Sequence, residues 1–89
     1  MEYICIFCSN DPERQIYIKQ LIEDFKELVY KKYPDCVILK GDVKVRFFTD
    51  LERKIGQAVG YGPHRKLDFY DQRYLAKILQ EIYERKINK

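Results

Sequence analysis

The chain has 89 residues, 46% hydrophobic and 15% aromatic, with 17 Lys and Arg against 14 Asp and Glu for a formal net charge of +3. That composition excludes a disordered chain, which would be poorer in apolar and aromatic residues. The length excludes a second domain, so residues 1–89 read as one unit with a thin core, burying roughly 60–65% of the unfolded surface.

The elements follow in order. Tyr3 to Cys8 is continuously apolar and β-prone, which predicts a central strand buried on both faces. The run is short and has no basic leader, unlike a signal peptide. Ser9-Asn10-Asp11-Pro12 ends the strand and opens a helix, with Asp11 as cap and Pro12 in the first helical position. Ile18, Leu21, Ile22, Phe25, Leu28 and Val29 form one apolar stripe, so the helix is expected to run to about Tyr33, where Pro34 stops it. Glu27 and Lys31 then make an i,i+4 pair.

Asp35–Lys40 and Val43–Thr49 read as two strands joined by a two-residue turn, Gly41-Asp42. That register places Cys36, Ile38, Val45 and Phe47 on one face, and Val37, Leu39, Lys44, Arg46 and Phe48 on the other, mixed and partly exposed. Residues 50–66 show neither period, although Asp50 to Val59 has the makings of a short helix, and three of the four glycines lie here. A connection this long in a compact domain is functional or disordered. Leu67–Tyr70 is a short fourth strand, and Asp71 caps a closing helix that buries Leu75, Ile78, Leu79 and Ile82. The expected fold class is α/β in the order β-α-β-β-β-α: a mixed sheet of about four strands with two amphipathic helices.

The chemistry concentrates in the glycine-bearing segment. Arg53, Lys54, Arg65 and Lys66 enclose a stretch without an acid, and Gly60-Tyr61-Gly62-Pro63-His64 sets an aromatic ring among glycines. Arginine forks and bare backbone N–H groups suit phosphate oxygens, and Tyr61 suits stacking on a base. His64 is a minor ligand contact, and Arg46 and Lys44 extend the surface across the sheet. Elsewhere the chemistry is incomplete. The turn after Cys8 lacks the glycine and lysine of a phosphate-gripping loop, and Asp11 there would repel phosphate. Asp68 and Asp71 are one piece of a metal set, with Asp71 better read as a cap. Cys5, Cys8, Cys36 and His64 make a zinc set only on paper, because residues 5 and 8 of a strand point to opposite faces. The odd number of cysteines in apolar surroundings instead predicts free thiols in a reducing, cytoplasmic compartment, and no stretch approaches the length of a membrane span. No base and nucleophile can be assembled, so no enzyme, metal or cofactor is expected.

Lys40-Gly41-Asp42-Val43-Lys44-Val45-Arg46-Phe47-Phe48-Thr49, Gly60-Tyr61-Gly62-Pro63-His64-Arg65 and Leu67-Asp68-Phe69-Tyr70-Asp71 together resemble the nucleotide-binding core of phage large terminases and helicase-like ATPases. There a hairpin around a glycine turn is followed by an arginine-glycine segment and a hydrophobic strand ending in an acid. The resemblance spans about half the chain and lacks the lysine motif. It therefore implies a reduced, non-hydrolysing relative, in the style of small phage proteins that counter host defences. The resulting expectation is a cytoplasmic, homodimeric, non-enzymatic protein that binds an anionic nucleotide-type ligand, such as a signalling nucleotide it sequesters. The alternatives are a nucleic-acid binder using the same residues along a longer track, and an inhibitor of a host protein using Phe48, Tyr30 and Tyr33 as an apolar patch.

Overall fold

A computed structural model describes residues 2–54 and 64–87. The fold is mixed α/β. Strands β1 (Glu2–Cys8), β2 (Val29–Lys32), β3 (Cys36–Leu39), β4 (Val43–Thr49) and β5 (His64–Leu67) form one sheet in the order β2-β3-β4-β1-β5. Helices α1 (Asp11–Asp24), α2 (Asp50–Lys54) and α3 (Gln72–Ile87) complete the described elements. Strand β1 runs parallel to both β4 and β5, whereas β2, β3 and β4 form an antiparallel meander.

Alternation along β1 sorts the interior into two clusters. Ile4, Ile6 and Cys8 join Ile18 and Leu21 of α1 and Leu75, Ile78, Leu79 and Ile82 of α3, so both long helices pack on the same side of the sheet. Cys5 and Phe7 lie on the second face, with Phe48. The β1 core strand and the buried side of α3 match their predicted positions.

Four boundaries differ from the sequence reading. Helix α1 ends at Asp24, not near Tyr33. Phe25 closes it with φ −125° and ψ 35°, a 3-10 turn covers Lys26–Leu28, and Val29–Lys32 becomes the edge strand β2. The stripe misled because Ile22, Phe25, Leu28 and Val29 all pack against the same core although the helix has already ended. Glu27 and Lys31 are accordingly not a helical pair. The cap of α1 is Asn10, not Asp11: Asn10 Oδ1 accepts the Glu13 N–H at 2.9 Å, while Glu13 Oε1 accepts the Ser9 N–H at 2.9 Å.

The β3–β4 hairpin is offset by one residue. Leu39 pairs with Val43 and Val37 with Val45, which leaves Lys40, Gly41 and Asp42 as the connection, with φ of 81° at Gly41 and 66° at Asp42. One residue of slip moves every side chain of a strand to the other face. Val37 and Leu39 therefore sit fully buried under the helices, and Cys36 and Ile38 take the second face with Lys44, Arg46 and Phe48. Finally, the last strand covers His64–Leu67 and ends three residues before its predicted end; the helix expected from Asp50 is seen as α2 over Asp50–Lys54, and the rest of that expectation, residues 55–59, lies outside the described residues.

Candidate functional site

The pairing registers arrange the second face in rows across the strands. One row reads Lys31, Ile38, Lys44 and Tyr3 from β2 to β1; the next reads Cys36, Arg46, Cys5 and Lys66 from β3 to β5. Neither row contains an acid. Lys31, Lys44, Arg46 and Lys66 form no ion pair with a described residue, whereas Arg14, Arg65 and Arg85 each have a carboxylate partner. What marks the second face is the spacing of its cations: Lys31, Lys44, Arg46 and Lys66 fall at register positions on β2, β4 and β5, with no acid among the paired positions of these two rows.

Electrostatics around the cysteines report the same convergence. Burial pushes the Cys5 thiol up, against the opposing pull of Arg46 and Lys66. Burial also pushes Cys36 up, assisted by Asp35 at the rim and opposed by Lys44 and Arg46. Arg46 lies with its guanidinium 4.8 Å from the centre of the Phe48 ring. A guanidinium resting over an aromatic ring at this distance is held by a cation–π contact and has less side-chain freedom left to lose on binding. Phe48 in turn packs 6.4 Å from Phe7, ring centre to ring centre. At the sheet edge the Lys31 ammonium stands 5.5 Å from the Tyr33 ring centre.

Of the residues singled out from sequence, Arg46 and Lys66 come together on this face, on either side of β1. Arg65 does not join them. It is level with Ile4 on the helix side, and its guanidinium meets Glu81 of α3 at 3.0 Å. His64 takes the β5 position beside Tyr3. Arg53 and Lys54 are the last two residues of α2, with side chains outside the described set, and Tyr61 lies outside the described residues altogether. Lys31 was hidden by the extended helix reading. Its signal was the β-prone pair Val29-Tyr30 ahead of Pro34.

The position of α2 is fixed by a capping box that the sequence carries as Thr49-Asp50-Leu51-Glu52. Glu52 Oε1 accepts the Thr49 N–H and hydroxyl, each at 2.9 Å, and Thr49 Oγ1 accepts the Glu52 N–H at 3.3 Å. Arg14 of α1 ties into the same oxygen at 2.7 Å and into Asp11 at 2.6 Å. This network joins α1, β4 and α2 and sets where Arg53 and Lys54 begin.

The other side chains weighed in the sequence take the following positions. Cys5 and Cys8 fall in different clusters on opposite faces of β1, as strand parity requires. All three cysteines are free and buried, and among the described residues no group of three or more His, Cys, Asp or Glu side chains is placed to hold a metal ion. Asp71 does cap α3, its Oδ1 accepting the Tyr74 N–H at 3.1 Å. The apolar patch expected for a host-protein inhibitor is broken up: Phe48 is only 4% exposed, while Tyr30 and Tyr33 lie in and just beyond the edge strand β2. Val37 and Leu39, expected on a mixed and partly exposed face, are buried. No helix among the described residues is long and apolar enough to cross a membrane. No family model, curated protein or solved structure matches the chain.

Proposed function

We propose that the protein is a non-enzymatic binder of an anionic nucleotide-type ligand, held across the second face of its sheet. The observation that carries this reading is the acid-free pair of rows in which Lys31, Lys44, Arg46 and Lys66 have no ion-pair partner among the described residues. Leaving four cations unneutralised on one face costs self-repulsion, and an incoming polyanion removes that cost. Lys66 on β5 and Lys31 on β2 are four strand spacings apart, about 19 Å at ~4.8 Å per spacing. A single phosphate cannot touch cations so widely spread. The geometry therefore favours a single-stranded nucleic acid laid across the strands over one isolated mononucleotide.

Binding without turnover fits the local chemistry. The three thiols are withdrawn from nucleophilic use by burial, and the turn after β1 is closed by Asn10 and Glu13 bonding to backbone N–H groups that would otherwise face an anion.

The test is fluorescence anisotropy of labelled single-stranded oligonucleotides over a salt series. Each phosphate contact with a single strand contributes about −0.7 to the slope of log K against log salt, so four contacts predict roughly −3. Flat salt dependence, or binding unaffected by Lys44→Ala, Arg46→Ala and Lys66→Ala together, would remove the basis of the proposal.

A further inference from the structure

The turn between β5 and α3 bounds a cleft of about 200 Å³ lined by Lys66, Leu67, Asp68, Phe69, Asp71 and Tyr74. The α3 end of this turn is fixed by two neighbouring anchors. Tyr70 points inward, donating its hydroxyl to Asp24 Oδ2 of α1 at 2.7 Å and packing its ring 5.9 Å from that of Tyr17. Asp71 is held as the cap of α3. On either side of these anchors along the chain, Phe69 is left 58% exposed and Tyr74 54% exposed. Two large rings on the wall of one cleft, in a chain that buries its other phenylalanines in the sheet or against it, are a preformed stacking surface.

Charge sets the polarity of a ligand there. Asp68 and Asp71 repel phosphate from the interior of the cleft. Lys66 attracts phosphate at its border, where it also ends the row running through Cys5 and Arg46. The uncharged part of a nucleotide therefore belongs in the cleft and the charged part on the sheet. We propose that this cleft is a nucleobase subsite: a base stacks on Tyr74 and Phe69, its exocyclic amino group donates to Asp68, and its phosphate lies against Lys66. The inference rests on the second face being the anion-binding surface. Carboxylates accept from the amino group of cytosine, so the subsite prefers amino-bearing bases to thymine or uracil.

Two measurements separate the subsite from the face. The first is anisotropy at neutral pH with labelled oligo(dC) and oligo(dT) a dozen nucleotides long. The double variant Phe69→Ala/Tyr74→Ala should bind oligo(dC) about tenfold more weakly, a change equivalent to ~1.4 kcal/mol, with an unchanged salt slope because no charge is removed. Asp68→Asn should erase the preference for oligo(dC). The second is amide NMR of the wild-type protein titrated with CMP and with UMP, where CMP should shift the amides of Lys66–Tyr74 more than UMP. If oligo(dC) binds and the double variant keeps wild-type affinity, the subsite is refuted and the cationic face stands. If CMP shifts these amides while no oligonucleotide binds, the face falls and the subsite stands. If neither probe has an effect, both are overturned. Both rings are exposed, so the variants should retain the fold, checked by the same amide spectrum.

Discussion

Arg65 and Glu81 meet at 3.0 Å across the junction of β5 and α3, and this contact divides Arg65 from its sequence neighbour Lys66. One side chain is level with Ile4 on the helix side, the other with Cys5 on the second face. Their roles in binding should divide the same way. Lys66→Ala and Arg46→Ala should each weaken oligonucleotide binding by about tenfold, since a charge-assisted contact contributes roughly 1.5 kcal/mol or more. Each should also flatten the salt slope by about 0.7. Arg65→Ala should stay within about twofold of wild type. Equal losses for Arg65 and Lys66 would place the ligand around the β5 edge, not on the sheet face.

How far the sequence reveals this site depends on parity. Strand β1, α3 and the Asp71 cap were legible because each rests on a local pattern: an apolar run, a 3–4 spacing, a capping residue ahead of it. The hairpin was legible as a hairpin from Lys40-Gly41-Asp42, but its register was not. A two-residue and a three-residue connection both suit Gly41 and Asp42, and the choice reverses the faces of Val37, Leu39 and Cys36. The alternation of Lys44 and Arg46 pointed to a cationic strand face. Its continuation into Lys31 and Lys66 needed the strand order, which places β1 between β4 and β5 and is not a local property. Two capping boxes, Asn10 to Glu13 and Thr49 to Glu52, were readable motifs; the first was assigned one residue late and the second was missed.

The hairpin connection yields a stability prediction. Gly41 has φ 81°, and a Cβ built there would come within 3.0 Å of Tyr83 Cε1. Tyr83 is held in place by donating its hydroxyl to Lys40 O at 2.7 Å, and the Lys86 ammonium donates to Gly41 O. Gly41→Ala therefore meets both left-handed backbone strain and a fixed ring. The strain alone costs about 1–2 kcal/mol, which lowers the melting temperature by roughly 4–16 °C in a domain this size. Tyr83→Phe removes only the hydrogen bond, about 1 kcal/mol. The double variant should recover little, because the backbone strain remains. Thermal denaturation followed by circular dichroism ranks the three.

Thiol reactivity gives a separate check on burial. Cys8 is pushed up to about 12, first by burial and then by Glu13, with Glu52 and Asp50 adding to the effect and Arg14 opposing it. Cys5 and Cys36 are also pushed up by burial. The thiolate is the reactive species. At mildly alkaline pH the folded protein should react with iodoacetamide at least tenfold more slowly than the unfolded chain, which should take up three adducts. A thiol that labels rapidly in the folded protein would show that the sheet is open to solvent at that cysteine, at β1 for Cys5 or Cys8 and at β3 for Cys36.

The network at Arg14 and Glu52 makes the last prediction, because its sign with pH is determined. Burial alone would raise the Glu52 carboxyl, but the Thr49 N–H and hydroxyl together with the Arg14 guanidinium outweigh it and hold Glu52 below its ordinary 4.5. A carboxylate depressed in the folded state contributes stability that is fully present above the unfolded value and is lost as pH falls through the folded one. Glu52 should therefore stabilise the protein at neutral pH and lose that contribution below about pH 4.5. Glu52→Gln keeps the shape but removes the charge that both Thr49 and Arg14 address. It should cost up to about 1.5–3 kcal/mol at pH 7, the range for hydrogen bonds to charged groups, and less in proportion to the solvent exposure of Glu52. Denaturant titrations of the two proteins should then converge as the pH falls through the lowered folded-state value of Glu52, below which the wild-type carboxyl is itself protonated. Arg14→Met should reproduce part of the neutral-pH loss, and because Arg14 and Glu52 touch at 2.7 Å with the arginine side chain only 15% exposed, the double variant should lose less than the two single losses added together. A wild-type to Glu52→Gln difference that is constant across pH would mean that the carboxylate contributes by shape alone, and that α2 is held in place by Thr49 without help from charge.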